Sequence, residues 1–150
     1  MKVDYFTIPE ITISYKDTVK PSERAVVSTT KAAVKIFTEV FKECMEHHEE
    51  VYIMLLNRAN RLLGISNIAK GGIDGSMIDI RIILQTALKA SASSILLCHN
   101  HPSGNKKPSM QDLDMTKAIK DACLTVGIRL LDHVIVTAEA YTSFADSGLL

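Results

Sequence analysis

The order of helical and extended hydrophobic patterns is the feature that most constrains the fold of this chain. Apolar residues recur every three or four positions in three segments, which predicts amphipathic helices at residues 29–47, 79–90 and 109–127. Short β-rich runs between and after these segments predict strands at residues 51–56, 61–68, 94–98, 128–136 and 141–144. This order predicts an α/β fold, a mixed β-sheet sandwiched by helices.

The chain divides into two parts of different character. Residues 1–28 combine a short alternating stretch, Ile11–Tyr15, with Pro9, Pro21 and several charges, which is typical of an edge strand or an extended surface segment. The helical and strand patterns all lie in residues 29–150. A length of 150 residues with 47% apolar and 23% charged side chains suits one globular domain. We therefore expect an N-terminal arm, 1–28, followed by a single domain, 29–150.

The same patterns argue against membrane insertion and secretion. The longest apolar run, Val51–Leu56, is far shorter than the roughly 20 residues that cross a bilayer. The first five residues include the acidic Asp4 and lead into no apolar segment of the kind that a secretory signal requires. We expect a cytoplasmic protein with no membrane partner.

Several residues with reactive side chains are assigned structural roles. Cys44, Cys98 and Cys123 are odd in number and widely spaced, which fits reduced, buried thiols better than disulfides or a cysteine-rich zinc site. His47 and His48 lie at the end of the first predicted helix, where positive charge suits the helix dipole. We interpret both histidines as structural or solvated.

A metal-binding pattern follows the predicted buried strand 94–98. His99 and His101 are two positions apart, so on an extended backbone both imidazoles point to one side and can reach one ion. Asp112 lies near the start of the next helix, and the intervening loop can return its carboxylate to the same point. Two histidines and one aspartate leave a fourth tetrahedral position for water, as in a catalytic zinc site.

A zinc-activated water still needs a group that accepts and delivers protons. Glu49 and Glu50 are the candidates, because they begin the strand 51–56 that should share a sheet with the histidine strand. Their side chains alternate between opposite faces, so the residues alone leave the choice open. Ser109, at the mouth of the site, would have a hydroxyl free to donate to a developing oxyanion.

Four sequence blocks match a known family. They are His99-x-His101-Pro102-Ser103-Gly104-Asn105, Pro108-Ser109-x-x-Asp112, Leu131-Asp132-His133 and Tyr141-x-Ser143-Phe144-Ala145-Asp146-x-Gly148-Leu149-Leu150. On these blocks the segment from about Glu49 to Leu150 resembles the JAB/MPN domain of bacterial RadC-like proteins, whose metal site is the JAMM motif. The resemblance covers about two-thirds of the chain.

The resemblance implies a cytidine-deaminase-like α/β fold and a Zn²⁺ site with His99, His101 and Asp112 as ligands. It favours Glu49 as the general acid/base, and it implies that Ser109 stabilises a tetrahedral intermediate during hydrolysis of a peptide or isopeptide bond. Full-length RadC-like proteins carry a helix-hairpin-helix region ahead of this domain. Residues 1–48 offer only an arm and one helix, as in short stand-alone members.

Three functions follow from this pattern. The leading interpretation is a zinc-dependent JAMM-type hydrolase with a peptide or isopeptide substrate. The alternative is a DNA-repair or recombination accessory protein that binds nucleic acid or a protein partner without peptidase activity. A third is a non-catalytic scaffold, against which the intact motif argues. The 17 basic and 17 acidic residues give no net charge, which does not favour nucleic-acid binding. A homodimer is left open.

Two of the site residues also have simpler interpretations. Ser109-x-x-Asp112 is the spacing of a helix capping box, and an Asp112 bound to a metal should not fully serve that cap. His133, next to Asp132, could pair with it to orient a metal ligand. A buried, hydrogen-bonded histidine is the more common role for such a residue.

Overall fold

The computed structural model describes residue 12, residues 18–71 and residues 77–150, which form three helices and five strands after a short 3-10 turn at Pro21–Glu23. The helices are α1 (Thr30–Val40), α2 (Ile80–Lys89) and α3 (Met110–Thr125). The strands are β1 (Glu50–Leu56), β2 (Leu62–Lys70), β3 (Ser94–Asn100), β4 (Arg129–Val136) and β5 (Tyr141–Ser143). They form one sheet in the order β2-β1-β3-β4-β5. The β3–β4 pair is parallel and the other three pairs are antiparallel, which confirms the mixed sheet.

The central strands carry apolar side chains on both faces because helices cover both. On one face, Phe37 and Phe41 are fully buried with Met54 and Cys98. On the other face, α2 and α3 pack against β1 and β3, and the buried residues there include Ile83, Ile119, Ile53 and Leu97. The predicted sandwich of helices around a sheet is therefore confirmed.

The helix ends form where the sequence places its capping residues. The Thr29 hydroxyl accepts the backbone N–H of Ala32 at the start of α1. At the end of α3, Gly127 adopts a φ of +74°, a left-handed conformation that glycine reaches without a steric penalty. The N–H groups of Gly127 and Ile128 then bond to carbonyls in the last turn of α3, which makes a Schellman motif.

The prediction that the first helix extends to residue 47 is wrong. Regular helix ends at Val40, and residues 41–47 form successive tight turns. After Phe41 the backbone bonds span three residues instead of four, from Lys42 to Glu39, Cys44 to Phe41 and His47 to Cys44. The side chain of Asn100 ties these turns to β3, because its Nδ2 donates to the carbonyls of Cys44, Met45 and His48.

The last residues before α1 contact the β1–β2 turn. Val27 donates its N–H to the Asn60 carbonyl at 2.8 Å, and Leu62 donates to the Ala25 carbonyl at 2.9 Å. Val27 is buried in the core on the α1 side of the sheet. The predicted edge strand at Ile11–Tyr15 lies outside the described residues except for position 12, and the division into arm and domain stays a prediction.

The expectation of buried thiols is confirmed, because Cys44, Cys98 and Cys123 are all free and buried. The described residues also contain no helix that combines the length and the apolar composition needed to cross a bilayer. The longest helix, α3, has 16 residues.

Candidate metal centre

Three predicted ligands meet where β3 ends and α3 begins. His99 Nε2 lies 2.9 Å from His101 Nε2 and 3.2 Å from Asp112 Oδ1. His101 Nε2 lies 3.6 Å from Asp112 Oδ2. His99 and Asp112 are buried and His101 is half-buried, so the three groups converge on one partly enclosed point.

This donor set fits a zinc ion. Tetrahedral ligands at about 2.0–2.1 Å from one ion lie roughly 3.3 Å from one another. His99 Nε2 lies 2.9 Å from His101 Nε2 and 3.2 Å from Asp112 Oδ1, both close to that value, and the second oxygen of Asp112 lies 3.6 Å from His101 Nε2. Imidazole nitrogen and carboxylate oxygen are both ordinary zinc ligands, and three of them leave one position for another molecule.

A chain of hydrogen bonds fixes the proton of His99. Thr116 Oγ1 lies 2.6 Å from the Asp112 carbonyl and 2.6 Å from His133 Nδ1. Since the carbonyl can only accept, the hydroxyl donates to it and accepts the Nδ1–H of His133. His133 Nε2 then accepts the Nδ1–H of His99, at 2.7 Å. The Nε2 of His99 is left with a free lone pair that points at the metal position.

The environment of His133 keeps its ring neutral, as the hydrogen bonds from Thr116 to His99 require. The ring is fully buried and stacks on Phe144 with a centroid separation of 4.4 Å. Burial holds the pKa of His133 well below its usual range. His133 thus acts as a neutral acceptor for His99.

The loop after β3 fixes His101 in the same way. His101 Nδ1 donates to the carbonyl of Asn105 at 2.6 Å, which leaves Nε2 with its lone pair free. Gly104 makes this tight loop with a φ of +79°, and its N–H bonds back to the His101 carbonyl. The two Nε2 lone pairs therefore face each other at 2.9 Å, an arrangement that a cation between them stabilises.

Asp112 supplies the negative charge of the centre. Burial alone would raise the pKa of its carboxyl, but the adjacent imidazoles of His101 and His99 together lower that pKa far below its usual range. The Asp112 carboxylate in turn raises the pKa of His101, and the charge of Glu49 adds to this effect. The centre therefore favours positive charge.

Asp112 forms the helix cap with only one of its two carboxylate oxygens. Asp112 Oδ2 accepts the backbone N–H of Ser109 at 2.7 Å, and the Ser109 hydroxyl accepts the N–H of Asp112, which completes a capping box. The other oxygen, Oδ1, remains directed at His99. A carboxylate has enough lone pairs for both roles.

Ser109 lies at the mouth of the site, but the prediction that its hydroxyl is free is wrong. The side chain of this exposed residue donates to Asp112 Oδ2 at 2.7 Å. The backbone N–H of Ser109 holds the same oxygen. Loss of the hydroxyl contact would thus leave Asp112 still anchored to the helix start.

The register of β1 against β3 separates the two candidate glutamates. Val51 pairs with His99, so the same antiparallel register places Glu50 across from Asn100 and Glu49 across from His101. Glu49 is half-buried on the face of the metal ligands. Glu50 is buried on the opposite face, where Tyr52 and other polar groups bind its carboxylate.

Sequence reasoning missed Thr116, which belongs to this centre, and Asn100, which lies between its two histidines. Thr116 follows Asp112 by one helical turn and sits on the same buried stripe of α3, a spacing that could have indicated it. Asn100 anchors the start of β1. The interpretation of His133 as a buried, hydrogen-bonded histidine is confirmed; its partners are His99 and Thr116, while Asp132 binds Ser143.

A helix-covered mixed sheet, with two histidines at the end of its central strand and an aspartate at the start of the next helix, defines an α/β domain with a candidate metal site. A family model described as "RadC-like JAB domain" matches residues 27–149. The chain belongs to the RadC-like JAB domain family.

Similar proteins are known in several bacteria under the name "UPF0758 protein". The chain is 37% identical over 123 residues to one from Flavobacterium johnsoniae, covering 82% of this chain and 53% of that protein. It is 42% identical over 103 residues to one from Porphyromonas gingivalis, with coverages of 68% and 45%. It is 34% identical over 131 residues to one from Clostridium acetobutylicum, with coverages of 87% and 56%. The chain spans about half the length of the curated relatives it matches.

Proposed function

We propose that this protein is a zinc-dependent hydrolase of the JAMM type, acting on a peptide or isopeptide bond. The observation that carries the proposal is the convergence of His99, His101 and Asp112, with both imidazole Nε2 lone pairs turned to one point. If the site only capped α3, neither His99 nor His101 would need to carry its ring proton on Nδ1.

The three converging side chains would hold the ion. When bound, zinc would supply Lewis-acid chemistry, polarising a substrate carbonyl and bringing the pKa of a water towards neutrality. His133 and Thr116 keep His99 in the ligand form, and Asn105 does the same for His101. These contacts turn both imidazoles to the same point, which reduces the reorganisation that ion binding requires.

Glu49 is the proton carrier in this proposal. It is half-buried just before the first residue of β1, where the β1–β3 register continued beyond Val51 and His99 would set it across from His101, and its charge acts on that imidazole. From there its carboxylate accepts a proton from the attacking water and delivers it to the leaving amine. Such general acid/base catalysis contributes about 10²- to 10⁴-fold to a rate.

Ser109 is the proposed oxyanion donor. Its hydroxyl must rotate from Asp112 Oδ2 towards the substrate oxygen, and the backbone N–H of Ser109 keeps Asp112 in place during that rotation. The developing negative charge is a stronger acceptor than a carboxylate oxygen that already has a second donor.

The replacement Glu49→Gln tests this assignment. The zinc-loaded protein is screened against peptides and isopeptide-linked conjugates, and turnover is compared with that of Glu49→Gln and of the exposed control Glu139→Gln. We expect Glu49→Gln to keep its zinc and to lose about 10²- to 10⁴-fold in rate, with the control unchanged. Equal turnover by Glu49→Gln would remove Glu49 from the mechanism.

The proposed partner is thus a peptide or protein substrate, without a role for nucleic acid. The three free cysteines suit a reducing compartment, and we propose that the protein acts in the cytoplasm.

A further inference from the structure

A second cluster of ligand-type side chains lies on the opposite face of the sheet. A donor atom from each of Cys44, His48 and Glu50 lies within 4.8 Å of the other two. Cys44 and Glu50 are buried, and His48 is half-buried at the wall of a cleft of about 520 Å³. The interpretation of Cys44 and His48 as separate structural residues does not account for this convergence.

The donor types indicate what the cluster would bind. A thiolate, an imidazole and a carboxylate are the three side-chain ligands that zinc takes in proteins. Sulfur and nitrogen donors select against magnesium and calcium, which take oxygen. We propose that Cys44, His48 and Glu50 form a second binding site for a divalent cation of the zinc class, separate from the centre at His99.

The backbone of this site is held in place by one buried side chain. Asn100 Nδ2 donates to the carbonyls of Cys44, Met45 and His48 at 3.2, 3.1 and 2.9 Å. Asn100 Oδ1 accepts the N–H of Glu50 at 2.8 Å. All three proposed ligands therefore have a backbone group fixed by Asn100, which reduces the ordering cost of binding an ion.

The carboxylate of Glu50 is oriented for this role. Its Oε2 accepts from Tyr52 at 2.9 Å and from the Asn67 amide at 2.8 Å, and these contacts fix the plane of the group. Its Oε1 faces His48 Nε2 at 2.7 Å. An ion held by Oε1 and Nε2 needs only a small widening of that contact.

Charge balance is also met. Lys70 Nζ lies 3.6 Å from Glu50 Oε1, but its side chain is 68% exposed and can move into solvent when a cation replaces it. Binding through Cys44 breaks its S–H bond and releases one proton to solvent. The resulting thiolate and the Glu50 carboxylate then match the two charges of the ion. Binding through His48 Nε2 requires the proton that this nitrogen donates to Glu50 to move to His48 Nδ1, which can then donate to His47 Nδ1.

A cysteine, a histidine and a glutamate could also form a nucleophilic triad, but the contacts do not support one. His48 Nε2 bonds to Glu50, and His48 Nδ1 lies 2.8 Å from His47 Nδ1. Both ring nitrogens are thus engaged away from Cys44, so the imidazole is not placed to take the thiol proton.

Cobalt(II) chloride titration of the metal-free protein distinguishes the two centres, because only a thiolate ligand gives a cobalt–sulfur charge-transfer absorption in the near ultraviolet. The centre at His99 has no sulfur. We expect the band in the wild type, in the His99→Ala/His101→Ala variant and in the matched control Cys123→Ser. We expect it to be absent in Cys44→Ser.

A wild type without the band, or a Cys44→Ser variant that keeps it, would overturn the proposal. If Cys44→Ser does not fold, as judged by circular dichroism, the half-buried His48 offers a milder change. The same absorption band monitors cobalt binding, and His48→Ala should weaken that binding by at least about tenfold. An unchanged affinity in His48→Ala would equally contradict the site. None of these results depends on hydrolase activity.

Discussion

The Thr116 hydroxyl sets the tautomer of His99, which lies two hydrogen bonds away. It donates to the carbonyl of Asp112 and accepts from His133, which in turn accepts from His99. A methyl group in the same place would leave the His133 tautomer undefined and its Nδ1–H without a buried acceptor.

We therefore predict that Thr116→Val weakens zinc binding by about 10- to 100-fold, the usual effect of losing a partner behind a metal ligand. Competition with a chromophoric chelator measures the affinity. Thr125→Val is the matched control, because Thr125 makes the same bond to a carbonyl one turn earlier in α3 but is exposed and remote from the histidines. Equal affinities for the two variants would show that the hydrogen-bond chain does not tune the centre.

Asn100 has a stabilising role that can be measured by itself. Asn100→Ala leaves three carbonyls and one N–H without the partner that binds them now. Buried polar groups that lose their partner are costly, and we predict a fall of about 3 kcal/mol in the free energy of unfolding, measured in urea. Asn105→Ala, which removes one exposed contact, should cost less than about 1 kcal/mol. A loss below that value for Asn100→Ala would contradict the role assigned to it.

The convergence of His99, His101 and Asp112 could be predicted from the sequence because their spacing is local: two positions apart on a strand, then one loop away. Glu49 and Glu50 could not be separated in that way, since their difference depends on the register between β1 and β3. The hydroxyl of Ser109 was wrongly expected to be free. Its spacing from Asp112 predicts the capping box but does not tell which hydrogen bonds the hydroxyl makes.

At the scale of elements, the core on the α1 side depends on aromatic packing. Phe37 and Phe41 are fully buried with ring centroids 6.3 Å apart, and Phe41 contacts Tyr52 of β1 edge-on at 5.2 Å. These contacts join α1 to the sheet next to the turns that hold Cys44 and His48.

We predict that Phe37→Ala lowers the free energy of unfolding by about 3–5 kcal/mol, because it leaves a cavity that the rigid sheet cannot close. Phe37→Leu, which keeps most of the volume, should cost clearly less. Urea denaturation of the two variants gives the comparison. Similar costs for both would indicate that the site relaxes and that α1 is less firmly packed than its burial implies.

The helices and strands could be predicted because each carries a clear hydrophobic period, and their ends agree with the structure within a few residues except in α1. There the apolar spacing continues past Val40, and both Phe41 and Cys44 are indeed buried. Burial at helical spacing does not require helical hydrogen bonds. After Phe41 the backbone bonds span three residues instead of four, and the turns they form are tied to Asn100, a residue more than fifty positions away, a contact that no local pattern reveals.

At the scale of the whole molecule, the two candidate metal centres lie on opposite faces at one end of the sheet, and β3 connects them. His99 and His101 face α3, while Asn100 between them faces the turns after α1. The alternation of a single strand thus supports both sites. Neither the order of the helices nor their lengths would have indicated this arrangement.

Zinc content tests the central claim, that His99, His101 and Asp112 bind a metal ion, most directly. Elemental analysis compares the purified Cys44→Ser protein with the same protein carrying His99→Ala and His101→Ala, so that the cluster at Cys44 does not contribute. We predict about one zinc per chain in the first protein and close to none in the second. Zinc that persists without the two histidines, or no zinc in either protein after it has been added back, would contradict the account.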